Sequence, residues 1–234
     1  MPKIVLPTYV AYLPSNNKKV VFRPFTVKEE KALLLALEEN NLEGVSHTIS
    51  ATVDACTDGK VDVNTTPYYD AEYLFLQIRS KSVGELVDLI GKCDCDPSVR
   101  TSFSIDVSTA KVNGAVALNG AVAKNTFHIL GTKYTIELRH PSLTDFTSVF
   151  KNPDSSGVDT LANCIVKVYS DEEEYSWSMS EKQEFLESMS PLQQKDISRF
   201  LDTMPMVELD ASYTCSKCGK HHTQILSGFE NFFI

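Results

Sequence analysis

The segment Tyr213–His222 reads YTCSKCGKHH, two cysteines with two residues between them, then glycine and a polar run. Cys215 and Cys218 at this spacing make a metal knuckle. A knuckle supplies two ligands and a structural zinc site takes four, so the stretch asks for a second pair elsewhere. The candidate is IGKCDCD, with Cys93 and Cys95. Both pairs sit in one local design: ELVDLIGKC leads into the first and TSFSIDV away from it, while MVELDASYTC leads into the second and HHTQIL away. Strand, knuckle, strand, found twice, is the layout of a zinc ribbon. Two facing hairpin tips would supply four thiolates near the ~2.3 Å that tetrahedral zinc takes. Such a site joins distant segments and restricts the unfolded chain.

Two other arrangements stay open, because C-x-C is a tighter bite than C-x-x-C. Cys215 and Cys218 could share a metal with His221 or His222 and a fourth ligand elsewhere, or all four cysteines could be reduced thiols at hairpin tips. The two histidines read most simply as exposed strand residues after the knuckle. Four cysteines leave no open coordination position of the kind a hydrolytic zinc requires. The deaminase pattern, H-E-x-x-H, G-x-S-x-G and the Walker A loop are all absent. His47, His128 and His140 stand alone and the carboxylates are scattered, so the chain reads as a non-enzyme with no small-molecule substrate.

Outward from the knuckles the chain reads as α+β: an N-terminal β-hairpin, a helical bundle, and a zinc-ribbon-like β module built from two distant hairpins. Thr8–Leu13 and Lys19–Phe25 flank the turn-rich PSNN. Thr26 and Glu29 have capping-box spacing and open a helix. A second helix spans Leu42–Cys56 with Cys56 as a core thiol, and a third follows Pro67 with Ala71, Leu74, Phe75 and Ile78 on one face. Strand signals cover Ser102–Val107, Thr126–Leu130 and Lys133–Arg139, and Lys111–Lys124, with two Asn-Gly pairs, reads as weak hairpin or loop. Val158, Leu161, Ala162, Ile165 and Val168 predict one helix with Cys164 at its margin. Ser180 and Gln183 predict a capping box for the next, and Pro191 starts another. Val207, Leu209, Ala211 and Tyr213 alternate as a strand that delivers Cys215 to its turn. The expected segments are 1–91 (hairpin plus helices), 92–140 (first knuckle), 141–204 (helical) and 205–234 (second knuckle and apolar tail), interleaved in one globular unit.

The 234 residues are 42% hydrophobic and 23% charged, ordinary for a globular chain, and the formal net charge is -9. That charge opposes a nucleic-acid binder, since only Lys92, Lys217 and Lys220 lie close to the knuckles. A ribbon serving as a nucleic-acid or transcription adaptor is therefore the runner-up. Neither a signal peptide nor a membrane span is expected from the apolar runs. The six cysteines then read as metal ligands or buried thiols in a reducing cytoplasm rather than as disulfides.

Three blocks, VVFRPFTVKEEKALLLALEEN (Val20–Asn40), DAEYLFLQIRSKSVGE (Asp70–Glu85) and the terminal YTCSKCGKHHTQILSGFENFF, resemble the baseplate hub assembly proteins of T-even-type contractile-tailed phages. The first two blocks carry most of the match, the entry motif FRPF-x-x-K-E-E-K is specific, and the three blocks together cover about a quarter of the chain. The resemblance implies a late-gene product without catalytic residues that binds other phage baseplate hub and tail proteins. It would act in the host cytoplasm during assembly, either as a chaperone that leaves or as a hub subunit retained in the virion tail baseplate. Candidate partner-binding residues are Arg23 and Phe25 in FRPF, where arginine and aromatics together make an interface anchor, and Phe229, Phe232 and Phe233 in the apolar tail. Against these stand an ordinary hairpin edge at FRPF and a tail folded onto the chain's own core.

Overall fold

The structure is a computed structural model that describes residues 4–39, 41–113, 125–151, 157–171 and 173–228. The first strands, β1 (Tyr9–Tyr12) and β2 (Lys19–Phe22), pair antiparallel with Val10 opposite Val21. Their alternation sends Ala11, Val20 and Phe22 inward. Helix α1 (Val27–Glu38) starts where expected: the Glu29 carboxylate accepts from the Thr26 amide at 2.6 Å and from the Arg23 guanidinium at 2.8 Å. Helix α2 (Leu42–Thr57) is capped by Asn41, whose side chain accepts from the Glu43 amide, and α3 (Tyr68–Val83) follows Pro67. The predicted α3 face is buried whole, with Ala71, Leu74, Phe75 and Ile78 all 1% exposed or less. These elements enclose the first apolar core with Leu33, Ile49, Val53 and Cys56. The hairpin turn is pinned to α3 through Asp70, which accepts from the Ser15 amide at 2.9 Å and from its hydroxyl.

The chain then runs through β3 (Leu86–Cys93) and β4 (Asp96–Asp106), a long antiparallel hairpin whose register slips at Lys92/Cys93. A short 3-10 turn at Val107–Thr109 leads to β5 (Lys111–Asn113). Next come β6 (Thr126–His128), β7 (Thr135–Leu138), α4 (Leu143–Lys151), α5 (Gly157–Cys164), β8 (Ile165–Tyr169) and β9 (Glu174–Tyr175). Helices α6 (Met179–Glu187) and α7 (Pro191–Asp202) precede β10 (Met206–Asp210), β11 (Tyr213–Thr214), β12 (His221–His222) and β13 (Ile225–Leu226). The fold is α+β, and every strand pairing among the described residues is antiparallel. Strands β6-β7-β8-β9 form one sheet and β13-β10-β5 another. A second core joins Leu76 of α3 to Val87, Ile105, Val207 and Leu209. A third lies between the β6–β9 sheet and helices α5, α6 and α7, around Ile136, Leu138, Leu161, Leu186 and Ile197.

Two expectations need correction. The stripe read as one helix from Val158 to Val168 breaks at Cys164: Ile165 and Val168 lie in β8, paired with β7, and Cys164 is fully buried. Ile165-Val166-Lys167-Val168-Tyr169 is rich in β-branched residues, which favour a pleated surface, and a bulge in the β7–β8 pairing, where Glu137 pairs with Lys167 but Leu138 with Ile165, turns both Ile165 and Val168 inward although they are three apart. The cap of α6 is Ser178 with Glu181, not Ser180 with Gln183. Both pairs have the right spacing, and the carboxylate makes the stronger, charge-assisted bonds. The stretch 114–124, with its two Asn-Gly pairs, lies outside the described residues.

Candidate metal centre

The long β3–β4 hairpin ends in Cys93-Asp94-Cys95, and the short β11–β12 hairpin ends in Cys215-Ser216-Lys217-Cys218. The two tips meet. Cys93 Sγ stands 3.7 Å from Cys218 Sγ and Cys95 Sγ stands 3.8 Å from Cys215 Sγ, and all four sulfurs lie within 4.8 Å of one another. A tetrahedral ion with metal–sulfur bonds of ~2.3 Å spaces its ligands ~3.8 Å apart, so the set fits a metal with four thiolate ligands. Cys93 and Cys215 are buried, and Cys95 and Cys218 are exposed. The set is closed, since four protein sulfurs fill a tetrahedral shell.

Backbone geometry prepares the second knuckle. The Cys215 amide donates to the Lys220 carbonyl at 2.9 Å and the Gly219 amide to the Cys215 carbonyl at 3.0 Å. Gly219 sits at φ +72°, a left-handed conformation that glycine adopts without strain. The amides of Cys218 and Lys217 donate to the Cys215 sulfur and draw its pKa down to about 6. That favours the thiolate a metal requires. Cys95 shifts the other way, up to about 12, because its hydrogen bonds to the sulfurs of Cys93 and Cys218 hold its proton. Four crowded sulfurs without a cation cannot all ionise.

Contacts beyond the sulfurs hold the tips in register. The Tyr213 ring lies flat between Phe103 and His222, each with ring centres 4.8 Å from its own. Its hydroxyl donates to the Lys92 carbonyl. The ring rests on the bare backbone of Gly91, where an added Cβ would come closer than 3.0 Å to it. The Ser216 amide donates to the Thr101 hydroxyl at 3.1 Å. Lys217 pairs with Asp96 at 2.6 Å, and this partner, with the Ser98 hydroxyl, draws the Asp96 carboxyl down to about 2.

The four cysteines singled out in the sequence are thus brought together, and neither histidine joins them. His222 stacks on Tyr213, and His221 faces the Thr214 hydroxyl across the hairpin at 3.4 Å. Tyr213, Phe103 and Thr101 were not legible as part of the site. Gly91 carried the one available signal, since a glycine inside a strand marks a close backbone approach. Arg23 is half-buried against Glu29, with its guanidinium 3.8 Å from Cys56 Sγ, and Phe25 packs on the first core. Phe229, Phe232 and Phe233 lie outside the described residues.

Fold and site together define an α+β protein whose two distant hairpins meet at a four-cysteine cluster. Residues 6–234 match the family described as T4 bacteriophage base plate protein, and the chain belongs to that family. It is 23% identical over 221 residues to the baseplate hub assembly protein gp26 of Enterobacteria phage T4, a match covering 93% of this chain and 94% of the relative. No solved structure matches the chain. The family assignment does not favour the nucleic-acid ribbon as a reading. No helix among the described residues is long and apolar enough to cross a membrane.

Proposed function

We propose that this chain is a non-enzymatic protein of phage baseplate hub assembly that works through protein–protein contacts, braced by a structural zinc on Cys93, Cys95, Cys215 and Cys218. The observation that carries the reading is the end-to-end alignment with a hub assembly protein, 93% of one chain against 94% of the other. Relatives that share a single module would align over part of their length. The chain acts in the host cytoplasm while the hub is built, then leaves as a chaperone or stays in the tail baseplate. Arg23 and Phe25, with Phe229, Phe232 and Phe233, are the residues offered to partners, and the segments of the chain form one interleaved unit.

Zinc supplies charge neutralisation here: a dication lets thiolates share a space from which they would otherwise repel one another. The residues do the rest. The amides at Cys215 stabilise its ionised sulfur, and Tyr213 fixes the distance between the tips.

The test is affinity capture of the tagged protein from infected cells, with mass spectrometry of what comes with it. Stoichiometric baseplate hub proteins are expected; capture without any tail protein overturns the assembly reading. Metal analysis of the purified chain tests the brace separately, with one zinc per chain expected and none in Cys215→Ser.

A further inference from the structure

We infer that the cluster is also a site of oxidation: when free of metal it forms two disulfides, Cys93–Cys218 and Cys95–Cys215, both running between the hairpins. The inference uses the same four sulfurs as the zinc reading but needs no ion bound. Within a cluster whose four sulfurs all lie within 4.8 Å of one another, it stands on two sulfur–sulfur contacts. The contacts of 3.7 and 3.8 Å both cross from one knuckle to the other. A disulfide is ~2.0 Å long, so each pair closes by under about 2 Å, within reach of side-chain rotation. A bridge inside the first knuckle would instead span Cys93-Asp94-Cys95, a ring with one residue between its ends, which leaves little freedom for the torsion near ~90° that a disulfide prefers.

Exposure divides the labour within each pair. Cys95 and Cys218 are exposed, and their partners Cys215 and Cys93 are buried. Each pair therefore holds one sulfur that a dissolved oxidant can reach and one that only its neighbour can. With oxidised glutathione, the exposed thiol gives up its proton as its sulfur attacks the glutathione disulfide, forming a mixed disulfide and releasing one glutathione thiolate, which takes up a proton. The buried thiolate then attacks the protein sulfur of that mixed disulfide and expels the second glutathione. Two electrons and two protons pass from two protein thiols to one oxidised glutathione, giving one bridge and two reduced glutathiones. Repeated at the second pair, the sequence replaces one shared ion with two covalent links between segments 125 and 120 residues apart. The hairpins stay joined in a reducing and in an oxidising setting alike.

The full-length protein is stripped with a chelator under reductant, moved into oxidised glutathione, quenched with an alkylating reagent and digested with trypsin. Lys92, Arg100, Lys217 and Lys220 place the cleavages so that Cys93 and Cys95 share one peptide while Cys215 and Cys218 fall on two others. Three peptides joined in one species are expected. In Cys95→Ser the first peptide should link to that of Cys218 and leave Cys215 alkylated; in Cys93→Ser it should link to that of Cys215 and leave Cys218 alkylated. An internal Cys93–Cys95 bridge beside a Cys215–Cys218 bridge overturns the inference. So do four alkylated cysteines, or single variants that pair in the opposite sense. Should stripping unfold the chain, as seen by circular dichroism, the same mapping on the metal-loaded protein under slow oxidation decides by the same products. Zinc content measured before stripping keeps a failure here distinct from a failure of the zinc reading.

Discussion

The β1–β2 hairpin lays Ala11, Val20 and Phe22 onto helices α1 to α3, whereas the tip of the β3–β4 hairpin meets β11–β12 through four sulfurs, a stack of three rings and a few polar groups. Both are antiparallel hairpins, and they are secured by different physics. Apolar burial is spread over many side chains, so losing one weakens the first region in proportion to the volume removed. With zinc bound as proposed, a closed ligand set depends on every member, so losing one cysteine would remove the brace while the core beneath it remains. The two regions therefore tolerate change at different positions.

Four substitutions put that contrast to the test. Phe75→Ala, at 1% exposure in the first core, should cost about 3–5 kcal/mol of global stability in urea unfolding. A loss confined to the N-terminal region, with the rest of the chain unfolding at its usual midpoint, would show that the cores are uncoupled.

Asp70→Asn should change the pH dependence next most. Burial holds the Asp70 carboxyl up at about 6, although its bonds from Ser15 pull the other way. Between about pH 4 and pH 6 the unfolded chain has released this proton and the fold retains it. The contribution is therefore fully present at low pH and lost as the pH rises through about 6, amounting to about 3 kcal/mol. Asparagine can still accept from Ser15 and does not titrate. Its stability relative to the parent should rise from pH 4.5 to pH 7, and a constant gap would refute the assignment.

Gly91→Ala comes third, at about 1–3 kcal/mol. Its methyl would press into the Tyr213 ring, which the Lys92 carbonyl and the stacked partners hold in place. Zinc binding should weaken while the N-terminal helices keep their hydrogen-exchange protection. Lys217→Ala should do least: its pair with Asp96 is exposed, and such pairs add little. Unchanged thermal unfolding and metal content are expected, and a measurable loss of zinc would move Lys217 into the brace itself.

Where the sequence carried strong periodicity, it led to the right elements. The α3 face, the N-terminal hairpin and the alternation from Val207 to Tyr213 each commit many residues to one side, and tertiary contacts had no reason to override them. The repeated strand–knuckle–strand layout brought together residues whose separation hid their proximity. What escaped was decided by competition between near-equal options. Ile165 and Val168 carry the helical spacing of three, and only the bulge in their pairing with β7 lets a strand bury both, while Ser178 and Ser180 each offer a cap. The Phe103–Tyr213–His222 stack was invisible for another reason: a strand pattern says which face a residue takes, not which partner it finds there.

The 120-residue gap between Cys95 and Cys215 also sets a clock on synthesis. At ~5–20 residues per second, ribosomes need roughly 6–24 s after making the first knuckle to make the second. The residues of the first core run only from Ala11 to Leu143, so that region can collapse on the nascent chain well before the late cysteines exist. The early thiols must wait through that interval, and a chain cut short before residue 215 could never fasten. Closure of the proposed zinc site would thus mark, by chemistry alone, a polypeptide whose translation has run past its second knuckle.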